Sequence, residues 1–209
     1  PDPGEGFLHL SLMSGQALDT VATDAMSPPA RARLVGELAD LIDRLGQLPV
    51  DRWPGDPADW ARIWAELAAE TVGLTGLPVE VQAHAQGLAA TAAATAASAP
   101  IRVFHGDLGG VNCRVDAETG SVTAMLDWDA AALGDPATDV AALLSGLGPD
   151  TAAAARSHSP GWVADEQRYT HYVATWPLQF YLWSARSGSP DERQRARGML
   201  SEQARSAAR

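Results

Sequence analysis

The sequence predicts an α+β fold that is mainly helical, with a small β-hairpin at the functional site and one short strand ahead of the helices. Three observations carry this. Several long segments place apolar residues at the three-to-four spacing of a helix face, the interval 100–126 changes to short β-branched runs around one turn, and helical spacing then returns. A chain of 209 residues with 46% apolar residues is long enough to bury a core of this kind.

Residues 6–13 alternate Phe7, His9, Ser11 and Met13 against Leu8, Leu10 and Leu12, the period of a strand with one buried face, and break at Ser14-Gly15. From Pro28-Pro29, Leu34, Val35, Leu38, Leu41, Ile42 and Leu45 recur at helical spacing, with proline where a first helical turn tolerates it. Asp56-Pro57 reads as the N-cap and first position of a second helix, whose Trp60, Ile63, Trp64 and Leu67 share a stripe. The Ala- and Thr-rich stretch 79–97 has high helix propensity and predicts a third. Strands follow at 101–104, 113–115 and 121–126, the last two forming a hairpin around the turn 116–120. After Gly134-Asp135-Pro136 the chain returns to helix over 139–147, 165–186 and 190–207. The aromatic residues Trp162, Tyr169, Tyr172, Trp176, Phe180, Tyr181 and Trp183 are expected mostly in the core.

Twenty-six acidic residues against 15 basic ones give a formal charge of −11, which repels a nucleic acid and attracts a cationic small molecule. No stretch approaches the roughly 18 uncharged apolar residues that cross a bilayer, and the first residues lack a signal-peptide pattern, so the sequence is placed in the cytoplasm without a membrane partner. A lone Cys113 excludes an internal disulfide; on a strand, and facing away from its neighbour Asn112, it reads as a small buried hydrophobe.

Chemistry concentrates in two segments, His105-Gly106-Asp107-Leu108-Gly109-Gly110-Val111-Asn112 and Leu126-Asp127-Trp128-Asp129. Phosphoryl transfer needs a carboxylate that orients a hydroxyl and takes its proton, plus hard oxygen ligands that hold Mg²⁺ on the nucleotide phosphates. Asp107 suits the first role as general base. Asn112, five residues on, and Asp127, at the end of the hairpin, suit the second as metal ligands. No lysine exists anywhere in the chain, and neither a Walker loop nor a G-x-G-x-x-G loop is present, so these residues supply no phosphate clamp of their own.

These residues, with Gly134-Asp135-Pro136-Ala137-Thr138-Asp139, resemble the motifs of the aminoglycoside phosphotransferase and choline kinase-like family, whose fold is that of the protein kinases. The resemblance implies a protein-kinase-like C-terminal lobe, with Asp107 as catalytic base and Asn112 and Asp127 as Mg²⁺ ligands. It implies supporting roles for His105 and for Asp139, which starts a helix and braces the catalytic loop. It also implies a hinge over 6–18, in which His9, Leu10, Ser11, Leu12 and Met13 meet the base of ATP or GTP through main-chain groups. Residues 1–18 are then a hinge strand and linker from an N-terminal nucleotide lobe that lies ahead of Pro1, and residues 19–209 the helical catalytic and substrate-binding lobe. Gly109-Gly110 and the Asp after Trp128 are similar to the phosphotransferases that inactivate cyclic peptide antibiotics such as viomycin and capreomycin. Asp129, Asp165 and Glu166 are candidates for an acidic wall facing a cationic acceptor. The expected activity is Mg²⁺-dependent transfer of a γ-phosphate to a hydroxyl of an aminoglycoside or cyclic peptide antibiotic. The competing readings are a metal phosphoesterase, which wants more histidine ligands than His105 alone, and a non-catalytic binding module for a cationic small molecule.

Overall fold

The computed structural model describes residues 13–209, so of the expected 6–13 strand only Met13 is described, and it is exposed. Among the described residues the first strand follows the expected break at Ser14-Gly15: β1 (Gln16–Ala17) lies antiparallel to β3 (Cys113–Val115), which pairs with β4 (Val122–Met125). Gly15 takes a φ of +93°, a turn that lets Arg114 donate to its carbonyl at 2.9 Å and Thr123 to that of Ser14 at 2.7 Å.

Helix α1 (Pro28–Gly46) starts where Ser27 caps the Ala30 amide, and it buries Leu34, Val35, Leu38, Ile42 and Leu45. Leu34, Val35, Leu38 and Ile42 meet Leu18, Leu108, Cys113, Val115, Val140, Leu143 and Trp162 in one core cluster. The hairpin is pinned to α1 by Glu37, which accepts the Val122 amide at 2.7 Å, and by a close approach of Gly120 to the Ala30 carbonyl. Gly120 has a φ of +78°, and a Cβ there would collide with Ala30, so Gly120→Ala is expected to cost about 2–5 kcal/mol from strain and overpacking. A urea midpoint equal to that of the wild type would contradict this packing.

A second packed body combines α2 (Ala58–Val72), α3 (Val79–Ser98), α6 (Gly161–Val173), α7 (Trp176–Ser187) and α8 (Pro190–Ala207). Ala85, Ala89, Ala92 and Ala96 form the buried face of α3, and such small side chains let neighbouring helices approach closely. Asp56 caps α2 through the Ala58 amide at 2.9 Å. Trp64 is buried and Trp60 and Leu67 partly so, but Ile63 is 54% exposed and stands off the expected stripe.

Three features differ from expectation. Residues 132–134 form a strand, β5 (Ala132–Gly134), antiparallel to β2 (Arg102–Phe104). A side chain at Gly134 would lie 2.5 Å from the Phe104 ring and 2.7 Å from Trp60, which is why glycine ends this strand. An additional helix, α5 (Pro149–His158), follows α4 (Ala137–Ser145); Asp24 caps it by accepting from the Thr151 amide and hydroxyl, both at 2.8 Å. The single helix expected over 165–186 is two, α6 and α7, because Pro177 has no amide hydrogen to continue α6 and fits the first turn of a new helix.

The α7 aromatics are also less buried than expected. Trp176 and Trp183 are 51% and 48% exposed, and they flank Phe180 in a stack with centroid spacings of 5.7 and 5.8 Å. Tyr172 and Trp162 are buried as expected. Among the described residues no helix is long and apolar enough to cross a membrane.

Cys113 is fully buried, and burial pushes its thiol up to about 11 from 9.0. A thiol that ionises later when folded than when unfolded keeps its proton in the native state, so stability falls as pH rises from 9 towards 11. The loss approaches about 2–3 kcal/mol at the top of that window and is absent at pH 7. Denaturant titrations of the wild type and Cys113→Val at pH 8 and 10.5 are expected to diverge in that sense, and native Cys113 is expected to resist iodoacetamide at pH 8. Rapid native alkylation would contradict the burial.

Candidate active site

The loop between β2 and β3 is held from below by one carboxylate. Asp139, in the first turn of α4, accepts the His105 amide at 2.6 Å and the Gly106 amide at 3.0 Å. Burial pushes this carboxyl above the usual range, against the pull of those same amide hydrogen bonds. Gly106 has a φ of +83° and packs so tightly on the Ala130 carbonyl that no Cβ fits. The chain therefore turns sharply after β2 and delivers Asp107 to the surface, where its side chain is exposed.

His105 ties the two chemical segments together. Its Nε2 lies 2.9 Å from the Leu126 carbonyl, while the Asp107 amide donates to Nδ1 at 3.3 Å. Only the neutral ring with its proton on Nε2 satisfies both partners. The ring is fully buried and packs against Trp128 at a centroid distance of 4.6 Å. Its place is structural, between the Asp107 loop and the strand that ends at Asp127.

Asn112 turns back across the loop as the spacing suggested. Its Nδ2 donates to the Asp107 carbonyl at 2.8 Å and to Asp107 Oδ2 at 3.0 Å. The amide nitrogen is thus committed to Asp107 and the amide oxygen is left for another partner. On the hairpin, the Leu126 amide donates to the Asn112 carbonyl at 2.9 Å, so Asp127 lies one residue beyond that pairing. Asp127 adopts φ 61° and ψ 66°, and it is the one non-glycine residue among those described with a positive φ. Holding an aspartate there costs about 1–3 kcal/mol, strain of the kind that clusters at functional sites.

These donors fit a divalent cation of the Mg²⁺ type. Asn112 offers a carbonyl oxygen and Asp127 an exposed carboxylate with no hydrogen-bond partner among the described residues, the hard, partial ligand set that Mg²⁺ takes when phosphates supply the rest. Asp107 stands beside Asn112 with one carboxylate oxygen engaged and the other free to meet a hydroxyl.

The expected acidic wall separates. Asp129 is exposed in the short turn Trp128–Ala130, next to the site. Asp165 is instead bonded by Arg168 at 2.8 Å, and it lines a cavity of about 720 Å³ with Asp43, Arg102 and Trp162 that includes none of Asp107, Asn112 and Asp127. Glu166 is clamped by Arg156 at 2.6 and 2.8 Å, a bidentate bond that holds its carboxyl low. Asp165 is paired with an arginine three residues on along α6, which helical spacing allows, and Glu166 with an arginine from α5, which the spacing within α6 does not show. His9, Leu10, Ser11 and Leu12 lie outside the described residues.

One supporting cluster was not anticipated. Asp135, fully buried, accepts Arg168 Nε at 3.0 Å and Nη2 at 2.9 Å, the Tyr172 hydroxyl at 3.0 Å and the Ala137 amide at 3.0 Å. Burial pushes the Tyr172 hydroxyl up, so it remains a donor. Asp135-Pro136 announced a helix start; its partners, Arg168 and Tyr172 at i and i+4 on α6, left only that spacing as a signal.

A model of the Phosphotransferase enzyme family matches residues 2–177. Viomycin phosphotransferase of Streptomyces vinaceus is 33% identical over 94 residues, a stretch covering 43% of this chain and 32% of that protein. The chain thus aligns with about a third of the length of this relative. Among solved structures, the GDP and kanamycin complex of APH(2")-IIIa superposes with a TM-score of 0.71 at 18% identity, over 92% of this chain and 68% of that one. Macrolide 2'-phosphotransferase MphH of Brachybacterium faecium gives 0.61 at 19% identity, over 90% and 67%. At such identities these structures establish the kinase-like fold, to which the mainly helical lobe and its active-site hairpin conform. With the family match running from ahead of β1 to the start of α7, through every residue of the Asp107–Asn112–Asp127 arrangement, the chain belongs to the phosphotransferase enzyme family.

Proposed function

We propose that this chain carries the catalytic lobe of an O-phosphotransferase that moves the γ-phosphate of ATP or GTP to a hydroxyl of a small cationic antibiotic, an aminoglycoside or a cyclic peptide. The observation that carries the reading is the Asn112–Asp107 pair, in which the Asn112 side-chain amide donates to the candidate base and leaves its own oxygen without a partner among the described residues, on the strand whose pairing with Leu126 immediately precedes Asp127. Asp107 holds the acceptor hydroxyl in line and takes its proton as the oxygen bonds to the γ-phosphorus and the bond to the nucleoside diphosphate breaks. Mg²⁺, when bound, neutralises the charge on the transferred and leaving phosphates. Asn112 and Asp127 hold it, and His105 and Asp139 keep the two segments in register.

The net charge of −11 draws a polycationic acceptor toward the exposed Asp129. Residues 1–18, with His9 to Met13 as the backbone edge for the base, belong to the same proposal as the hinge to a nucleotide lobe, and the cytoplasm supplies the triphosphate. The similarity to a viomycin phosphotransferase supports testing a cyclic peptide first among acceptors. The experiment is transfer of label from γ-labelled ATP or GTP to viomycin, kanamycin and hygromycin B by the full-length protein with and without Mg²⁺. Label appearing on an antibiotic only with Mg²⁺ supports the reading; cation-dependent antibiotic binding without any transfer defeats it.

A further inference from the structure

Two glycines stand side by side in the loop, and their surroundings differ completely. A Cβ on Gly109 would meet nothing within 4 Å. On the buried Gly110 it would lie 2.7 Å from Asp19 Cβ, 2.9 Å from the Asp19 nitrogen and 3.1 Å from its Cα. The Gly110 backbone therefore rests directly on the turn Leu18–Thr20 that continues β1. Behind it Gly146, at the end of α4, approaches so closely that its own Cβ would sit 3.3 Å from Gly110 Cα and 3.7 Å from Leu18 Cδ2.

The contact lies two residues from Asn112, inside the turn closed by the Asn112 amide donating to the Gly109 carbonyl at 3.0 Å. Leu18 anchors the other side, fully buried in the same core as Leu108 and Cys113. β1 pairs Ala17 with Arg114 and Gln16 with Val115, so residues 16–19 run back along the strand that Asn112 introduces. We propose that Gly110 is a positioning residue: by admitting the Leu18–Thr20 turn into backbone contact, it sets where the Asn112 side chain stands, and so couples β1 and the turn that follows it to metal–nucleotide engagement. This rests on the phosphotransfer reading above. A Cβ at position 110 must push either the turn or the loop, and backbone on both sides leaves no flexible side chain to absorb the movement.

The test compares Gly110→Ala with Gly109→Ala in the full-length protein. For Gly110→Ala, kcat/KM for MgATP is expected to fall about 10- to 100-fold, as an ångström-scale misplacement does. ADP affinity measured calorimetrically without Mg²⁺ is expected to hold, while the increment gained on adding Mg²⁺ is lost. Amide exchange at residues 109–113 should quicken. Gly109→Ala should show a far smaller change in each readout. Equal effects from the two alanines, or a loss of ADP affinity that ignores Mg²⁺, overturns the proposal. If Gly110→Ala does not fold, Asp19→Gly alone decides: faster exchange at 109–113 supports the coupling, and unchanged exchange overturns it. A wild type that transfers no phosphate to any acceptor refutes the phosphotransfer reading, whereas the exchange comparison tests the coupling independently.

Discussion

Asp107→Ala is expected to lower kcat for phosphate transfer about 10²- to 10⁴-fold while leaving the melting temperature near that of the wild type. The side chain is exposed and its removal vacates no core, so the folded state loses only two features: the acceptor for Asn112 Nδ2 at 3.0 Å and the oxygen that meets the hydroxyl. The Asp107 carbonyl still accepts from Asn112 at 2.8 Å, which keeps the amide in place. MgADP affinity is therefore expected to change little, separating the base from the metal ligands. Asn112→Ala and Asp127→Ala should show the converse, with loss of Mg²⁺-dependent nucleotide affinity as well as turnover. Retention of more than about a tenth of wild-type turnover by Asp107→Ala would remove it from the role of base, and a parallel collapse of MgADP affinity would mean that it acts through the metal instead.

Most of the site was legible in the sequence because its chemistry is packed into short intervals. Asn112 stands five positions after Asp107, a span whose only economical shape is a turn, and a hairpin-length interval brings Asp127 to the same strand pair. The helices α1, α3 and α8 were legible for a similar reason, each from a local signal: Pro28-Pro29 with apolar spacing for α1, the helix propensity of the Ala- and Thr-rich stretch for α3, and the break at 187–190 for α8, where the structure shows a Ser189–Glu192 capping box. What was hidden depends on which partner each residue meets, and the apolar pattern does not report that. β5 is three residues of ordinary composition, made a strand by β2 some thirty residues earlier. Asp165 and Glu166 look like free surface acids until Arg168 and Arg156 are placed against them. Trp176, Phe180 and Trp183 keep helical spacing, yet that spacing states only that they share a face of α7, and two of the three turn out to be half exposed.

The hidden cluster at Asp135 carries a large expected effect on both stability and the site. Asp135→Ala removes one buried carboxylate and leaves three donors behind: the Arg168 guanidinium, the Tyr172 hydroxyl and the Ala137 amide. Breaking one side of a buried ion pair costs about 3–5 kcal/mol, because the remaining charge stays desolvated. Here Arg168 keeps a second partner in Asp165 at 2.8 Å, which places the expected loss at the lower end, about 3 kcal/mol. Removing both partners strands fewer groups, so the loss in Asp135→Ala/Arg168→Ala is expected to be smaller than the sum of the two single losses. The effect reaches the chemistry through α4: Asp135 caps the helix whose first turn carries Asp139, and Asp139 holds the His105 and Gly106 amides beneath Asp107. Asp135→Ala should therefore also reduce turnover of the molecules that remain folded, and it should quicken amide exchange at His105 and Gly106. Strict additivity in denaturant titrations of the double variant would show that the Asp135–Arg168 bond does not work as a pair. Unchanged exchange at those two amides would show that α4 holds the loop without help from its cap.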